Sequence, residues 1–201
     1  FSEFGIRAND SDGELSSNTL TNTSISLSSY MSSIDIGNNI FTNFEKGVYS
    51  LNSTLNIADN FFSDGDFCVD LIDSDFDLIT NDFDCRDIDY QVRYNIRLHI
   101  ADEMGEGSGD HLFEIFNSEG EEIADSLTNE EGYSNFFQVD IIKKESDENV
   151  VNFNPLRITY ANNNVPVLVY KNISFNHTIE LLLATRAPVT IVTSGESLIK
   201  E

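Results

Sequence analysis

The sequence predicts an all-β fold, a single β-sandwich of jelly-roll or immunoglobulin-like type with an N-terminal extension strand. Apolar and polar residues alternate with a period of two along much of the chain, and stretches with the helical period of 3.6 are scarce. Many short strand-like segments follow one another at near-regular spacing, which is typical of β-sandwiches. We find no internal repeat and no linker rich in Pro or Gly. We therefore expect residues 1–12 to form the extension strand and residues 13–201 to form one sandwich domain.

The N-terminal third is rich in Ser, Thr and Asn, and its apolar residues are widely spaced. We expect a short strand at Ser24–Leu27, followed by one turn of helix at Ser28–Ile34. Alternating Tyr, Leu and Ile residues predict a further strand within Gly47–Asp59. This part of the chain thus contributes short elements to the predicted sandwich.

The C-terminal half contains the clearest strand signals. The turn Asn117–Gly120 lies between two alternating segments and predicts a hairpin, in which Gly120 supplies a positive-φ position. All three prolines lie at strand starts or edges, where a missing N–H is tolerated. We expect strands at Gln91–Ile100, Leu112–Phe116, Glu122–Leu127, Asn135–Ile142, Pro155–Tyr160, Pro166–Tyr170, Ile173–Leu183 and Val189–Val192.

The charge of the chain excludes several classes of partner. Its 201 residues include 11 Lys and Arg against 35 Asp and Glu, a formal net charge of −24. Nucleic-acid binding requires basic stripes that neutralise phosphates, and an anionic membrane surface repels a protein of this charge. No apolar run approaches the roughly 20 residues of a membrane-spanning helix. We therefore expect neither nucleic-acid binding nor membrane insertion.

Three features indicate a secreted or cell-surface protein. Cys68 and Cys85 flank an acidic stretch, and a disulfide closing this loop would stabilise the fold by roughly 3 kcal/mol. The chain begins with Phe1 rather than Met, which is consistent with a removed leader or a trimmed chain. An acidic surface with few lysines is also common in exported proteins. Five Asn-x-Ser/Thr sequons are candidate glycosylation sites, although chance accounts for them equally well in a chain rich in these residues: Asn9, Asn22, Asn52, Asn172 and Asn176.

Asp64–Asp89 is the densest polar segment, with ten aspartates in 26 residues. Calcium suits such a cluster because it takes six to eight oxygen ligands in flexible geometry. Part of the segment is spaced like an EF-hand loop, although Leu78 stands where that loop requires Gly. The candidate metal ligands are Asp73, Asp75, Asp77 and Asp84. The alternative is a strand with one solvated acidic face, and a second acidic segment, Asp102–Asp110, is either a ligand loop or a long connection.

The sequence offers no catalytic signature, so we do not expect an enzyme. Its only histidines are His99, His111 and His177, and none lies in a recognisable nucleophile context. No zinc-ligand pair and no phosphate-binding glycine loop is present. If the two cysteines are bridged, neither is available as a thiolate nucleophile.

The N-terminal segment Phe1–Arg7 is a candidate assembly element. It carries three bulky apolar residues, Phe1, Phe4 and Ile6, and their exposure to water is unfavourable. In its own sheet the segment is simply a first strand. In the sheet of a neighbouring copy it is a donor strand, and the head-to-tail contact that results propagates into a homopolymer.

Several N-terminal segments resemble the camelysin/TasA-like family of secreted, fibre-forming β-sandwich proteins. They are the start Phe1–Glu3, the Ser/Thr-rich segment Ser17–Leu27, the turn Asn43–Gly47 and the strand Leu55–Asn60. The resemblance covers the chain up to Asn60. It implies an extracellular matrix or pilus-like filament in which the segment from Phe1 to about Arg7 completes the adjacent subunit.

We therefore expect an extracellular structural subunit, part of a surface filament or biofilm-matrix fibre assembled by donor-strand complementation. The alternative is a calcium-dependent binding module that recognises sugar or protein through its acidic segments.

Overall fold

The computed structural model describes residues 2–146, 148–162, 165–174, 177–183 and 191–193. Strands, turns and loops make up these residues, with no helix among them, so the all-β class is confirmed. The predicted helical turn at Ser28–Ile34 is wrong, because these residues end one strand, turn a corner and begin the next. The chain divides into two compact units, Phe1–Tyr94 with Asp140–Val151 and Asn95–Val139 with Asn152–Glu201.

The prediction of a single β-sandwich is wrong, because the first unit is a β-solenoid of about four turns. Its strands pair in parallel, whereas the strands of a sandwich pair mainly in antiparallel fashion. The long strands β3 and β5 bend round a corner and contribute to two sides of the solenoid. The strands are β1 (Ser2–Asn9), β2 (Asp12–Ser16), β3 (Thr19–Tyr30), β4 (Ser33–Gly37), β5 (Ile40–Leu51), β6 (Thr54–Ala58), β7 (Phe61–Ser63), β8 (Phe67–Ile72), β9 (Asp75–Ile79), β10 (Asp82–Asp84) and β11 (Ile88–Ala101), the last of which continues into the second unit.

Every turn of the solenoid contains 21 residues, so the expectation of no internal repeat is also wrong. The register pairs Phe4 with Ile25, Ser33 with Thr54, and Ile40 with Phe61 on the three sides of the solenoid. Each of these pairs is 21 residues apart, and the same separation holds up to Ile88 opposite Phe67. One residue of each turn therefore stacks on its equivalent in the next.

The corners of the turns depend on left-handed backbone conformations. Residues with positive φ recur in three columns, each with the 21-residue spacing, and most are Asn, Asp or Ser. The first column is Asp10, Met31, Asn52 and Asp73, the second is Ser17, Asn38, Asp59 and Thr80, and the third is Asn22, Asn43 and Asp64. Asn and Asp tolerate this region better than other non-glycine residues, which explains their abundance in this part of the chain.

Inward-facing apolar side chains stack on one another to form the core of the solenoid. The rings of Phe41 and Phe62 are parallel with centroids 4.7 Å apart, and Phe83 stacks on Phe62 at 5.3 Å. Val48 and Ile57 are fully buried on the other two sides. Each such side chain stabilises the fold by about 1.5–3 kcal/mol.

Beyond the fourth turn, the first unit adds β11 and parts of β14 (Phe137–Glu145) and β15 (Val151–Asn152), which follow β8 in the order β8-β11-β14-β15. Asp89 occupies the position one turn after Cys68 and is 2% exposed. The Lys144 ammonium contacts its carboxylate. These strands cover the first side of the solenoid after the last turn.

The second unit is built on a sheet with the order β13-β12-β16-β17-β19. Its pairs are antiparallel except for β17 with β19, and β18 pairs in parallel with the second half of β11. The predicted strands of this half are confirmed in outline, although the start of Val189–Val192 lies outside the described residues. The strands are β12 (Leu112–Phe116), β13 (Glu122–Leu127), β16 (Leu156–Asn162), β17 (Val165–Lys171), β18 (His177–Leu182) and β19 (Ile191–Thr193).

Candidate functional site

A ladder of asparagines follows one corner of the solenoid through all four turns: Asn18, Asn39, Asn60 and Asn81. In each step the backbone N–H of one asparagine donates to Oδ1 of the next, at 2.9–3.0 Å. The side-chain amide also donates to that oxygen and to the backbone carbonyl two residues earlier in its own turn. Asn39 and Asn60 are 1% and 2% exposed, so these bonds satisfy amides that are shielded from water.

A second ladder runs along another corner and consists of Ser11, Ser32, Ser53 and Ser74. The backbone N–H of each serine donates to the hydroxyl of the next at 3.2 Å. Each hydroxyl in turn donates to the carbonyl two residues before it. Together the two ladders fix the register of adjacent turns at two corners. Both were missed in the sequence, where the spacing of 21 between identical residues is the signal that reveals them.

The N-terminal strand lies in the sheet of its own chain. Along β1, Phe4 aligns with Ile25 and Ile6 with Leu27 of β3. Phe4 and Ile6 are half-buried, and the Arg7 guanidinium lies 3.4 Å from the centroid of the Phe4 ring. Phe1 lies outside the described residues. The opposite edge of β1, away from β3, bears no strand among the described residues. Donation of this segment to another copy stays a prediction.

Cys68 and Cys85 form a disulfide, as their spacing suggested. Their Cα atoms are 5.8 Å apart, and the side chains are 0% and 3% exposed. The bond joins the first strand of the fourth turn to the end of the same turn. It is typical of proteins that fold in an oxidising environment, which is the support that the structure lends to an exported protein.

The predicted calcium ligands do not converge. Asp75 and Asp77 lie exposed on β9, on one side of the solenoid, whereas Asp84 lies on β10, on the next side. Asp73 occupies the corner that precedes β9. Within the part of the chain that the structure describes, no three His, Cys, Asp or Glu side chains are grouped so as to hold a metal ion.

Asp70, another member of the acidic segment, is instead the centre of a buried ionic cluster that sequence analysis did not single out. Its carboxylate is fully buried and binds Lys46 Nζ and Arg93 Nη2, each at 2.5 Å, and Gln91 Nε2 at 3.0 Å. Burial raises the pKa of Asp70, but the hydrogen bonds and charges of Lys46 and Arg93 together outweigh this effect and hold the pKa below its ordinary value. The cluster joins β5, β8 and β11.

Two of the three histidines tie loops of the second unit to its strands. His99 stacks on Tyr133 with centroids 4.1 Å apart and contacts Glu180 Oε2 through Nδ1 at 2.6 Å. His111 Nε2 lies 2.8 Å from Ser108 Oγ, and its Nδ1 lies 3.2 Å from the carbonyl oxygen of Ala161. The His177 side chain lies outside the described residues.

The acidic segment Asp102–Asp110 forms a turn of its own within the second unit. Asp102 Oδ1 accepts hydrogen bonds from the backbone N–H groups of Met104 and Glu106 at 2.8 and 3.0 Å. This carboxylate therefore serves the local turn, as expected for a connecting loop.

The second unit also has an open cavity of about 480 Å³ on the sheet that contains β12 and β16. Glu114 supplies a carboxylate to this mainly apolar surface and accepts a hydrogen bond from Thr159 Oγ1 at 2.9 Å. The lining residues are Leu112, Phe113, Glu114, Thr159, Tyr160, Ala161 and Pro166.

Four of the five sequon asparagines are exposed, namely Asn9, Asn22, Asn52 and Asn172, and Asn176 lies outside the described residues. Asn22 and Asn52 occupy positive-φ corners. Asn22 Oδ1 accepts a hydrogen bond from the Asn43 amide at 2.7 Å. Exposure leaves each of the four accessible to modification, and glycosylation stays a prediction.

Comparison with known proteins adds no functional assignment. No protein-family model matches the sequence, and no curated protein matches it either. The resemblance to the camelysin/TasA-like family thus stays a prediction that concerns function only, since the sandwich fold it implied is wrong. Among the described residues no helix is long and apolar enough to cross a membrane.

Proposed function

We propose that the protein is an extracellular structural subunit that associates with identical copies into a fibre or matrix. The single observation that supports this proposal most is the uniform 21-residue register of the solenoid, in which every turn pairs with the next through parallel strands and two side-chain ladders. Such stacking yields a stiff scaffold held by interactions between neighbouring turns. It also leaves strand edges that pair readily with other chains.

The disulfide and the acidic surface support the proposed setting. A bond buried inside the fourth turn protects the scaffold where no cellular machinery repairs it. A net charge of −24 keeps copies apart at low ionic strength. Association is therefore expected to strengthen as salt screens the charges.

The mechanism of association differs from classical complementation of an open sandwich. Because β1 already lies on β3 of its own chain, a donor segment is not needed to complete that sheet. We propose that copies associate by strand addition at exposed edges, with Phe4 and Ile6 holding β1 in place.

Sedimentation velocity and electron microscopy of the purified chain test this function. We expect concentration-dependent association that grows with ionic strength and is lost when residues 1–7 are deleted. The matched control is Asp77→Asn, which removes one exposed charge and leaves β1 intact. A chain that stays monomeric at all concentrations and salt conditions would contradict the proposal.

A further inference from the structure

We propose that the first turn of the solenoid is built to receive another turn of the same 21-residue pattern on its free edge. The first-turn edge consists of the sides of β1 and β2 that face away from β3 and β4, together with Ser11 and Asn18. No described residue covers this edge. The inference goes beyond the proposed function and concerns the chemistry of the occupant.

The first turn has the construction of an interior turn. Its corners Asp10, Ser17 and Asn22 have the same left-handed conformation as their equivalents in later turns. Ser11 and Asn18 occupy the ladder positions and donate to the second turn in the way that the second donates to the third. A turn that ends a solenoid normally presents a different, polar surface that stops the stacking.

The hydrogen-bonding capacity of the first-turn edge matches such a turn. Oδ1 of Asn39 and Oδ1 of Asn60 each accept a backbone N–H and a side-chain amide from the turn before. None of the described residues donates to Asn18 Oδ1. Likewise Ser32 Oγ accepts the backbone N–H of Ser11, whereas no described residue donates to Ser11 Oγ. The edge therefore offers two acceptors at the positions where every later turn accepts bonds.

The apolar side chains of the first turn point to the same occupant. Ile6 and Leu15 face the interior but remain half-exposed. Their equivalents one turn later, Leu27 and Ile36, are each 1% exposed because turns pack on both sides of them. A further turn with apolar residues in these columns would bury Ile6 and Leu15 in the same way.

Charge decides which of the known turns fits best. Asp12 and Glu14 face outward along β2, so an acidic residue opposite either of them would be repelled. The third turn carries neutral Thr54 and Asn56 in the two equivalent columns. A copy of residues 44–64 therefore combines the ladder positions with the least repulsion at the edge.

The test is an extended chain in which a copy of residues 44–64 is placed directly before Ser2, in the 21-residue register. We expect its melting temperature to exceed that of the parent chain by about 4–8 °C, the shift typical of a small domain that gains roughly one net stabilising interaction. Amide hydrogens of β1 and β2 should exchange more slowly in the extended chain. An unchanged melting temperature together with unprotected β1 and β2 amides would overturn the proposal.

Asn18→Ala measures whether the added turn uses the ladder. This substitution should lower the melting temperature more in the extended chain than in the parent, because only there does Asn18 Oδ1 accept bonds. Asn81→Ala, at the far end of the same ladder, is the matched control and should lower both chains equally, since distant substitutions act additively. Equal effects of Asn18→Ala in the two chains would overturn the proposal. Fibre formation by the parent chain is not a readout here, so the two proposals fail separately.

Discussion

Asn39 donates both its backbone N–H and its side-chain amide to one oxygen, Oδ1 of Asn60, at 2.9 and 3.0 Å. The two residues are 21 positions apart and occupy the same corner of successive turns. Because both are almost completely buried, this pair joins the turns where water does not compete for the bonds.

Asn60→Ala tests the contribution of this ladder. The side chain accepts two bonds from Asn39, and its amide donates to the carbonyls of Ile36 and Ala58. Its removal leaves buried groups unsatisfied, so we expect a loss of about 2–4 kcal/mol in the free energy of unfolding. Urea denaturation gives this value. Asn56→Ala, on the exposed face of β6, is the control and should change stability by less than about 0.5 kcal/mol; similar losses in the two variants would contradict the role of the ladder.

Asp70→Asn tests the buried ionic cluster through the pH dependence of stability. Lys46 and Arg93 hold the folded-state pKa of Asp70 below its ordinary value, near 3.9 in an unfolded chain. The stabilisation is therefore fully present above that unfolded value and is lost as the pH falls through the lower folded-state pKa. We expect the variant to be less stable by about 2–3 kcal/mol at pH 7, because two cations lose their carboxylate.

Measurement of the unfolding free energy between pH 2 and 7 checks the sign of this effect. The difference between the parent chain and Asp70→Asn should shrink as the solution is acidified below the ordinary pKa of the group. Asp77→Asn, at an exposed position, should run parallel to the parent chain. A constant difference across the whole range would show that the Asp70 charge does not contribute.

The double substitution Cys68→Ser and Cys85→Ser removes the disulfide. Closing a loop of 17 residues in sequence separation restricts the unfolded chain, so we expect a loss of roughly 3 kcal/mol in stability. Because both sulfurs are buried, reductant alone should leave the native protein without alkylatable thiols until denaturant is added. Rapid alkylation under native conditions would contradict the buried position of the bond.

Thr80→Gly tests the cost of the left-handed corners. Thr80 has a φ of 53°, and a β-branched residue is strained in this region. We expect the variant to gain about 1 kcal/mol in thermal or urea unfolding. Thr54→Gly, in the middle of the solenoid on β6, should instead lose about 1 kcal/mol, because glycine costs more entropy in a strand. A loss at Thr80 would mean that its side chain makes a compensating contact.

The location of many strands was predictable because alternation is a local property. Gln91–Ile100 lies within β11, and Leu112–Phe116 and Glu122–Leu127 coincide with β12 and β13. The pairing of Cys68 with Cys85 was equally accessible, since the chain contains no other cysteine. The sites were less predictable. The acidic segment indicated a calcium site, yet its residues divide between two sides of the solenoid, and one of them, Asp70, is neutralised by Lys46 and Arg93 from neighbouring strands.

The amino-acid sequence by itself determined the all-β class, the strands of the second unit, the disulfide and the acidic character of the surface. Only the tertiary structure decided that β1 to β11 stack in parallel with a 21-residue register, and that Asn39 meets Asn60. The physical reason is that an alternating strand presents the same apolar face to a sandwich and to a solenoid. What distinguishes the two is which residue lies on the adjacent strand, and that contact joins positions far apart in the chain.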